Sequence, residues 1–534
     1  MSDSKRPNIL WVSFEDTNPF YGCYGDTVAR TPNLDRLAAE GCRWPNAFST
    51  CGVCAPARSA VITGMYPTSM GTHHMRTTHT DKDLPELPTP YSAVIPHYVK
   101  CFSEYLRAAG YYCTNNVKTD YQFTPPMTAW DELSKKAHWR NRPDPDQPFF
   151  AVFNPTRTHE SGMWPEKCPD PTFDPADMQI PPYFPDTPKV REAMARMYTH
   201  IENSDREFGE WLKQLEDDGL ADNTIVFHWS DHGPLPRGKR WPYDSGIRIP
   251  MIVRWPGGLA PGSVSDRLVS TVDLGPTVLS LVGLPIPRHM QGKAFLGEQE
   301  ASPRDYIFAH RDRHDTAYDM VRAARDKRFK YMRNYRPDQP YLLYIPYRNK
   351  HPILQEMWRL HIEDALEGPQ KLMFGPRPVE ELYDTVNDPY ETNNLADDPA
   401  YASDLQRLRN ALDAWIHEVG DLGRIPEFEM VRRWYPDGEQ PRTAAPIMVP
   451  ICAANPGREP VRGEVTLTGP ALLQLHSATQ GASIAYTLDE GDEPRWLLYA
   501  DPLRLAPGQC TIRAKAIRIG YEESKETTVR ITVG

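Results

Sequence analysis

Three apolar runs along this chain each empty into a cluster of polar and charged residues, and that repetition predicts both a fold and a place for its site. Asn8 to Phe14 runs into Glu15 and Asp16, Phe149 to Phe153 into Asn154-Pro155-Thr156-Arg157-Thr158-His159-Glu160, and Thr224 to Trp229 into Ser230-Asp231-His232-Gly233. Short, continuous apolar runs are the pattern of strands covered on both faces, as in a sheet flanked by helices. In an open α/β sheet the ligand site lies beyond the carboxyl ends of the strands. The three polar ends are therefore expected to converge.

Between these runs apolar residues recur at three- and four-residue spacing. Asn33 to Glu40 predicts a short helix. Arg191 to Glu216 predicts a long one, with Met194, Met197, Tyr198, Ile201, Phe208, Trp211, Leu212 and Leu215 along its stripe. Asp404 to His417 predicts a third, carrying Leu405, Leu408, Leu412 and Trp415. After about Glu439 the period changes. Pro441, Pro446 and Pro450 mark a linker, and runs such as Thr511 to Ala516 and Thr528 to Val533 have strand alternation between Gly and Asp turns, which predicts a small β-sandwich.

Composition narrows the class. A chain of 534 residues has room for more than one domain, and its 54 prolines imply long irregular connections of the kind that shape binding sites. A net charge of −11 without any basic run argues against a nucleic-acid surface. No segment is long and apolar enough to span a bilayer, so no membrane is expected as a partner. The apolar run Ile9 to Val12 is too short for a signal-peptide core, and nine scattered cysteines suit a reducing compartment better than a disulfide framework. The expected location is cytoplasmic if the N-terminus is native, and periplasmic or secreted if a signal peptide has been removed.

The densest chemistry lies between Val53 and Gly64. Pro56 suits the first turn of a helix, Ala57 to Ile62 can propagate it, and Gly64 suits its end. Cys54 then stands at a helix N-terminus, where unpaired N–H groups and the macrodipole favour an anion. This run resembles the signature of the formylglycine-dependent sulfatases, in which the cysteine of C-x-P-x-R is oxidised to an aldehyde. The resemblance covers about residues 8 to 430. It includes Glu381-Leu382-Tyr383-Asp384 and Asn387 to Leu395, which are similar to the C-terminal subdomain of those enzymes.

The resemblance implies an alkaline-phosphatase-like α/β fold, a mixed sheet flanked by helices. The expected divisions are a catalytic domain over 1–380, a sulfatase C-terminal subdomain over 381–439, and a linker with an immunoglobulin-like β-sandwich over 440–534. That last module is similar to the C-terminal module of some chitobiases. The resemblance also implies a divalent metal, calcium first with manganese or magnesium as alternatives, held by Glu15, Asp16, Asp231 and His232 near the oxidised Cys54. Glu15 stands where aspartate is commoner. Arg58 is expected to brace the hydrated aldehyde, and Lys118 and Lys239 to bind sulfate. Asp120 replaces the usual histidine of Gly-Lys-x-His, which leaves His73 or His74 to substitute for it.

His159 is expected to protonate the leaving oxygen, because it follows a strand in a segment where the resemblance implies a substrate-contacting histidine, and imidazole titrates near neutrality. Lys239 is its alternate in that role, and Asp231 is expected to take the proton of the attacking hydroxyl. The implied partners are a sulfated small molecule or glycan and a formylglycine-generating enzyme, with an oligomer allowed. The implied reaction is hydrolysis of a sulfate ester or sulfamate, with carbohydrate as first choice of substrate. Aryl sulfates, phosphonate or phosphate esters, and a non-catalytic glycan-binding role are the alternatives.

Overall fold

A computed structural model describes residues 6–78, 87 and 90–534. The chain divides into two compact units, one built from Met1–Arg76 with Val152–Arg424 and the other from Thr77–Ala151 with Ile425–Gly534.

In the first unit, strands Asn8–Phe14 and Thr224–Ser230 lie parallel, in a register running from Asn8 opposite Thr224 to Phe14 opposite Ser230. Every residue of both strands is buried, as their unbroken apolar pattern requires. The second strand pairs antiparallel with Met251–Arg254, and Cys42–Arg43 and Ser263–Val264 extend that side, so the sheet is mixed. The register carries a functional consequence. Because Phe14 and Ser230 are level, Glu15-Asp16 and Asp231-His232 leave the sheet side by side.

Two of the expected helices cover this sheet. Pro32–Glu40 buries Leu34 and Leu37, and its first N–H groups are capped by Asp205, which accepts from Asn33 at 3.2 Å and Leu34 at 2.8 Å. Asp205 sits on the long helix Pro188–Asp217, which begins a turn before its apolar stripe because Pro188 occupies the first position after an extended Thr187. Trp211 on this helix is half-buried and stacks on Phe153, with ring centroids 4.7 Å apart.

A second, antiparallel sheet takes strands Ile307–Arg311, Val321–Arg325, Phe329–Asn334 and Glu380–Asp384 in that order. Helix Ala402–Val419 lies on it, burying Leu405, Leu408, Leu412 and Trp415 against Tyr331 and Leu382. A buried ion network closes the end of this helix. Arg322 donates to Asp312 from Nη1 at 3.1 Å and Nη2 at 3.0 Å, and to Asp421 from Nε at 2.6 Å and Nη2 at 3.0 Å.

The second unit contains helix Phe102–Ala108, the parallel pair Tyr112–Asn116 and Glu132–Leu133, and a β-sandwich. One sandwich sheet has three strands (Ile447–Ile451, Ala471–His476, Leu503–Leu505) and the other five, centred on Gly508–Ile517 and Thr527–Val533. Leu473, Leu475, Ile512, Ala514, Val529 and Ile531 fill the space between them. The sandwich is bonded to the helical segment: Arg107 donates to the Trp496 carbonyl at 2.8 Å, and Lys100 to that of Gly481 at 2.6 Å.

The Arg322 network makes a pH-dependent contribution to stability. Burial works to raise the Asp421 pKa, but Arg322 outweighs it and leaves the carboxyl below its ordinary 3.8. A depressed carboxyl stabilises the fold above its unfolded pKa and loses that contribution as pH falls through the folded value. Asp421→Asn is therefore expected to cost about 3 kcal/mol at pH 7, the usual loss when one partner of a buried pair is removed. In chemical denaturation the gap from wild type should close as pH falls below 3.8; a gap that persists there would assign the loss to packing.

Candidate active site

Helix Cys54–Thr63 forms as its sequence predicts, and all ten of its residues are buried. It starts at Cys54 after an extended Val53, and ends where Gly64, at φ 67°, turns left-handed and returns its N–H to the Ala60 carbonyl. Cys54 is 3% exposed and faces the two strand ends. Its Sγ lies 3.1 Å from His232 Nε2, 3.8 Å from Glu15 Oε1 and 4.0 Å from Asp16 Oδ1.

Asp231 organises the surrounding backbone. Its Oδ1 accepts the N–H groups of Asp16 and His232, both at 3.0 Å, and its Oδ2 accepts Arg58 Nε at 3.0 Å. Asp16 itself sits in the left-handed region at φ 47°, an uncommon conformation for a residue with a side chain. The Arg58 fork continues to Asn154, with Nη1 3.1 Å from Oδ1. The helix of residue 54 is thereby tied to all three polar strand ends.

His232 is fully buried, and burial lowers its pKa despite the pull of Asp231 and Asp16. Its Nδ1 is 3.0 Å from the Gly233 carbonyl, which can only accept, so the ring proton belongs on Nδ1. The Nε2 lone pair then faces the carboxylates, 3.3 Å from Asp16 Oδ1. Ligand atoms of Asp16, Cys54, Asp231 and His232 all lie within 4.8 Å of one another, and those of Glu15, Asp16 and His159 form an adjoining group. Two buried carboxylates, a neutral imidazole and a further anionic position form a donor set that suits a divalent cation.

Cationic and proton-bearing groups border these ligands. Lys239 Nζ sits on Asp16 Oδ2, 3.3 Å from Glu160 Oε1 and 3.4 Å from His159 Nε2. Burial pulls the Lys239 pKa down, but Asp16, Glu160 and Cys54 outweigh it, so the ammonium is held firmly protonated. Glu160 is ionised in turn: burial opposes its charge, yet Arg240 and Lys239 bring its pKa well below the ordinary carboxylate value. Arg240 grips Glu160 with both terminal guanidinium nitrogens, at 3.0 and 2.5 Å. The His159 Nδ1 lies 3.3 Å from the Ser161 N–H and 2.9 Å from Ser161 Oγ, and its Nε2 faces the Lys239 ammonium at 3.4 Å.

Four further residues were expected at the site: His73, His74, Lys118 and Asp120. His73 and His74 precede Met75, which packs on Cys54 and Ala55, but neither histidine joins the two ligand groups. His73 is pushed down to about 3 by burial and then by His74, so it is neutral at physiological pH. Lys118 and Asp120 belong to the second unit, where they pair with each other at 3.3 Å. Asn154, Glu160 and Arg240 were given no role from sequence. Each works by pairing with a residue far away in the chain, and nothing in local spacing reports such a pairing.

Comparison with known proteins agrees with this geometry. The sulfatase family model matches residues 7–122 and 113–284, and a model described as the C-terminal part of N-sulphoglucosamine sulphohydrolase matches 232–361. A protein from Formosa agariphila named ulvan-active sulfatase is 43% identical, over 98% of this chain and 91% of its own length. Human N-sulphoglucosamine sulphohydrolase is 28% identical over 78% of this chain and 91% of its own. Among solved structures, a protein in complex with its substrate D-glucosamine-2-N,6-O-disulfate shares the fold, with a TM-score of 0.56 at 19% identity over 79% of this chain and 99% of that one. The alkaline-phosphatase-like sheet, the buried cysteine helix and near full-length similarity to a sulfatase have one common reading: the chain belongs to the sulfatase family and is a sulfuric ester hydrolase.

Proposed function

We propose that the protein hydrolyses sulfate esters or sulfamates of a carbohydrate, with residue 54 acting as formylglycine and a divalent cation, calcium by first choice, beside it. The observation that carries this reading is the convergence of Asp16, Asp231, His232 and Lys239 on a cysteine at the buried start of a helix. The carbohydrate is supported by the names of the relatives, which act on ulvan and on N-sulphoglucosamine.

In this reading the Cys54 Sγ stands in for the oxygens that residue 54 carries after oxidation and hydration. Once modified, the residue supplies two hydroxyls on one carbon, one to attack sulfur and one that passes its proton to the His159 left neutral by the first step, so that the carbon–oxygen bond to sulfate breaks and the aldehyde is restored. A cation held by Asp16, Asp231, His232 and Glu15 supplies neutralisation of the sulfate oxygens. The remaining steps fall to the chain's own groups. Lys239 adds a fixed positive charge at the sulfate, and the dipole at the start of helix Cys54–Thr63 adds a partial one. Arg58 holds Asp231 and, through it, the ligand loops. Asp231 already accepts three N–H donors, which favours its ionised form and makes it a positioning group more than a base. Glu15 Oε1, 3.8 Å from Sγ, is the carboxylate set to take the proton of the attacking hydroxyl. His159, as the imidazolium, delivers its Nε2 proton to the departing oxygen as the sulfur–oxygen bond breaks and is left as neutral imidazole.

Three measurements test this. Cys54→Ala should abolish turnover, and peptide mass across residue 54 of the active enzyme should be about 18 Da below that of cysteine; near-normal activity in the variant would end the proposal. His159→Asn should lower kcat/KM about 10²- to 10⁴-fold on an alkyl sulfate, the usual worth of a general acid. On 4-nitrophenyl sulfate, whose leaving group departs without a proton, the loss should be far smaller, and equal losses would remove His159 from that role. Calcium at about 100 times its Kd should stabilise the wild type by roughly 2.7 kcal/mol in thermal denaturation. Asp16→Asn should show no such gain, and a gain equal to that of the wild type would place the cation elsewhere.

A further inference from the structure

Beside His159 lies a group of side chains that neither the nucleophile nor the ligand cluster uses. The Tyr347 hydroxyl is 3.5 Å from His159 Nδ1, and its ring packs against Trp164 with centroids 5.0 Å apart. The Arg76 guanidinium stands 5.2 Å from the Tyr347 ring centroid and bonds Asp315, with Nε 3.1 Å from Oδ1. The Arg76 side chain is 33% exposed and that of Asp315 12%, whereas Asp16, Asp231, Lys239 and Glu160 are all sealed in. The pair is thus more open to solvent than the ligand cluster, and Tyr347 links it to His159.

Both members have left-handed backbones. Arg76 has φ 62° and Asp315 φ 49°, values that aspartate adopts readily and arginine uncommonly, so the strain lies at Arg76. Arg313 enforces these conformations: its carbonyl accepts the Met75 N–H at 2.8 Å, and its Nη1 donates to the carbonyls of Met75 at 3.0 Å and Asp315 at 2.6 Å. A partly exposed ion pair repays little of that strain in stability. Strain maintained without a stability return is the pattern of a ligand-contacting site.

Resting on the carbohydrate reading above, we infer that Arg76 and Asp315, backed by Tyr347 and Trp164, form a subsite that reads an uncharged pair of adjacent hydroxyls on the sulfated sugar. The pair presents a donor edge on Arg76 beside an acceptor edge on Asp315. Adjacent sugar hydroxyls match both at once, one accepting from the guanidinium and the other donating to the carboxylate. A carboxylate or second sulfate at that position would meet Asp315. Nearby cations do not reverse this: Arg240 is committed to Glu160, and Arg348 is 1% exposed with its Nη2 on the Leu343 carbonyl. The two aromatic rings offer the apolar surface that the C–H face of a pyranose needs.

The test uses the full-length active enzyme, methyl pyranoside monosulfates with their monodeoxy derivatives, and 4-nitrophenyl sulfate as reference. In the wild type, deleting one of the adjacent hydroxyls should lower kcat/KM at least about tenfold, because the site's polar groups are left unpaired. Asp315→Asn, which tolerates the left-handed backbone, and Arg76→Gln should each lower the ratio of sugar-sulfate to aryl-sulfate kcat/KM about tenfold, mainly through KM. Both variants should also be indifferent to the deoxygenation. An unchanged ratio in both variants, or equal sensitivity to deoxygenation in variants and wild type, overturns the subsite. Preference for a carboxylate-bearing or disulfated sugar over its neutral counterpart overturns it as well. If the wild type hydrolyses 4-nitrophenyl sulfate but no sulfated pyranoside, the carbohydrate reading itself fails and the subsite fails with it.

Discussion

One buried carboxylate holds the site together. Asp231 accepts two backbone N–H groups and an arginine, and those three bonds join the end of the first strand, the end of the strand Thr224–Ser230 and the helix that bears Cys54. Such a group has to stay ionised in a place without water, and hydrogen bonds to its charged form are what make that affordable. The surrounding charges follow the same logic. Lys239 is held protonated by Asp16 and Glu160, while Glu160 is held ionised by Arg240 and Lys239. Removing one member leaves another buried and uncompensated, so the pocket behaves as a single electrostatic unit.

Much of this was legible in the sequence, for reasons that can be traced to particular residues. The strands at Asn8 and Thr224 announced themselves because strands buried on both faces cannot alternate with polar residues. Their polar ends marked the site because parallel neighbours in level register must deliver their next residues to the same place. Cys54, Arg58 and the cap at Gly64 were visible because a helix start, a helix end and a short signature all lie within one local run. The helices at 188–217 and 402–419 showed their apolar stripes, with only the first turn of the longer one hidden by Pro188.

What stayed hidden depends on distance along the chain. The pairing of Arg240 with Glu160 spans 80 positions, and that of Arg58 with Asn154 spans 96. No periodicity encodes such choices. Sequence also gave no sign that residues 77–151 share a unit with the C-terminal sandwich, because the links run from side chains such as Arg107 and Lys100 to backbone carbonyls, which carry no residue identity. The neutrality of His73 was equally invisible: a histidine next to another histidine looks like a basic pair until burial strips both of water.

The enclosure of Cys54 has a bearing on when its chemistry takes place. With 3% of its surface open and the whole helix buried, the finished fold gives no other protein room to work on the thiol. His232, which closes over the sulfur, is 178 residues further along the chain. During synthesis from the amino end there is an interval in which the signature has left the ribosome while its cover has yet to be translated. On the formylglycine reading proposed above, an enzyme that converts this cysteine would have that interval as its opportunity.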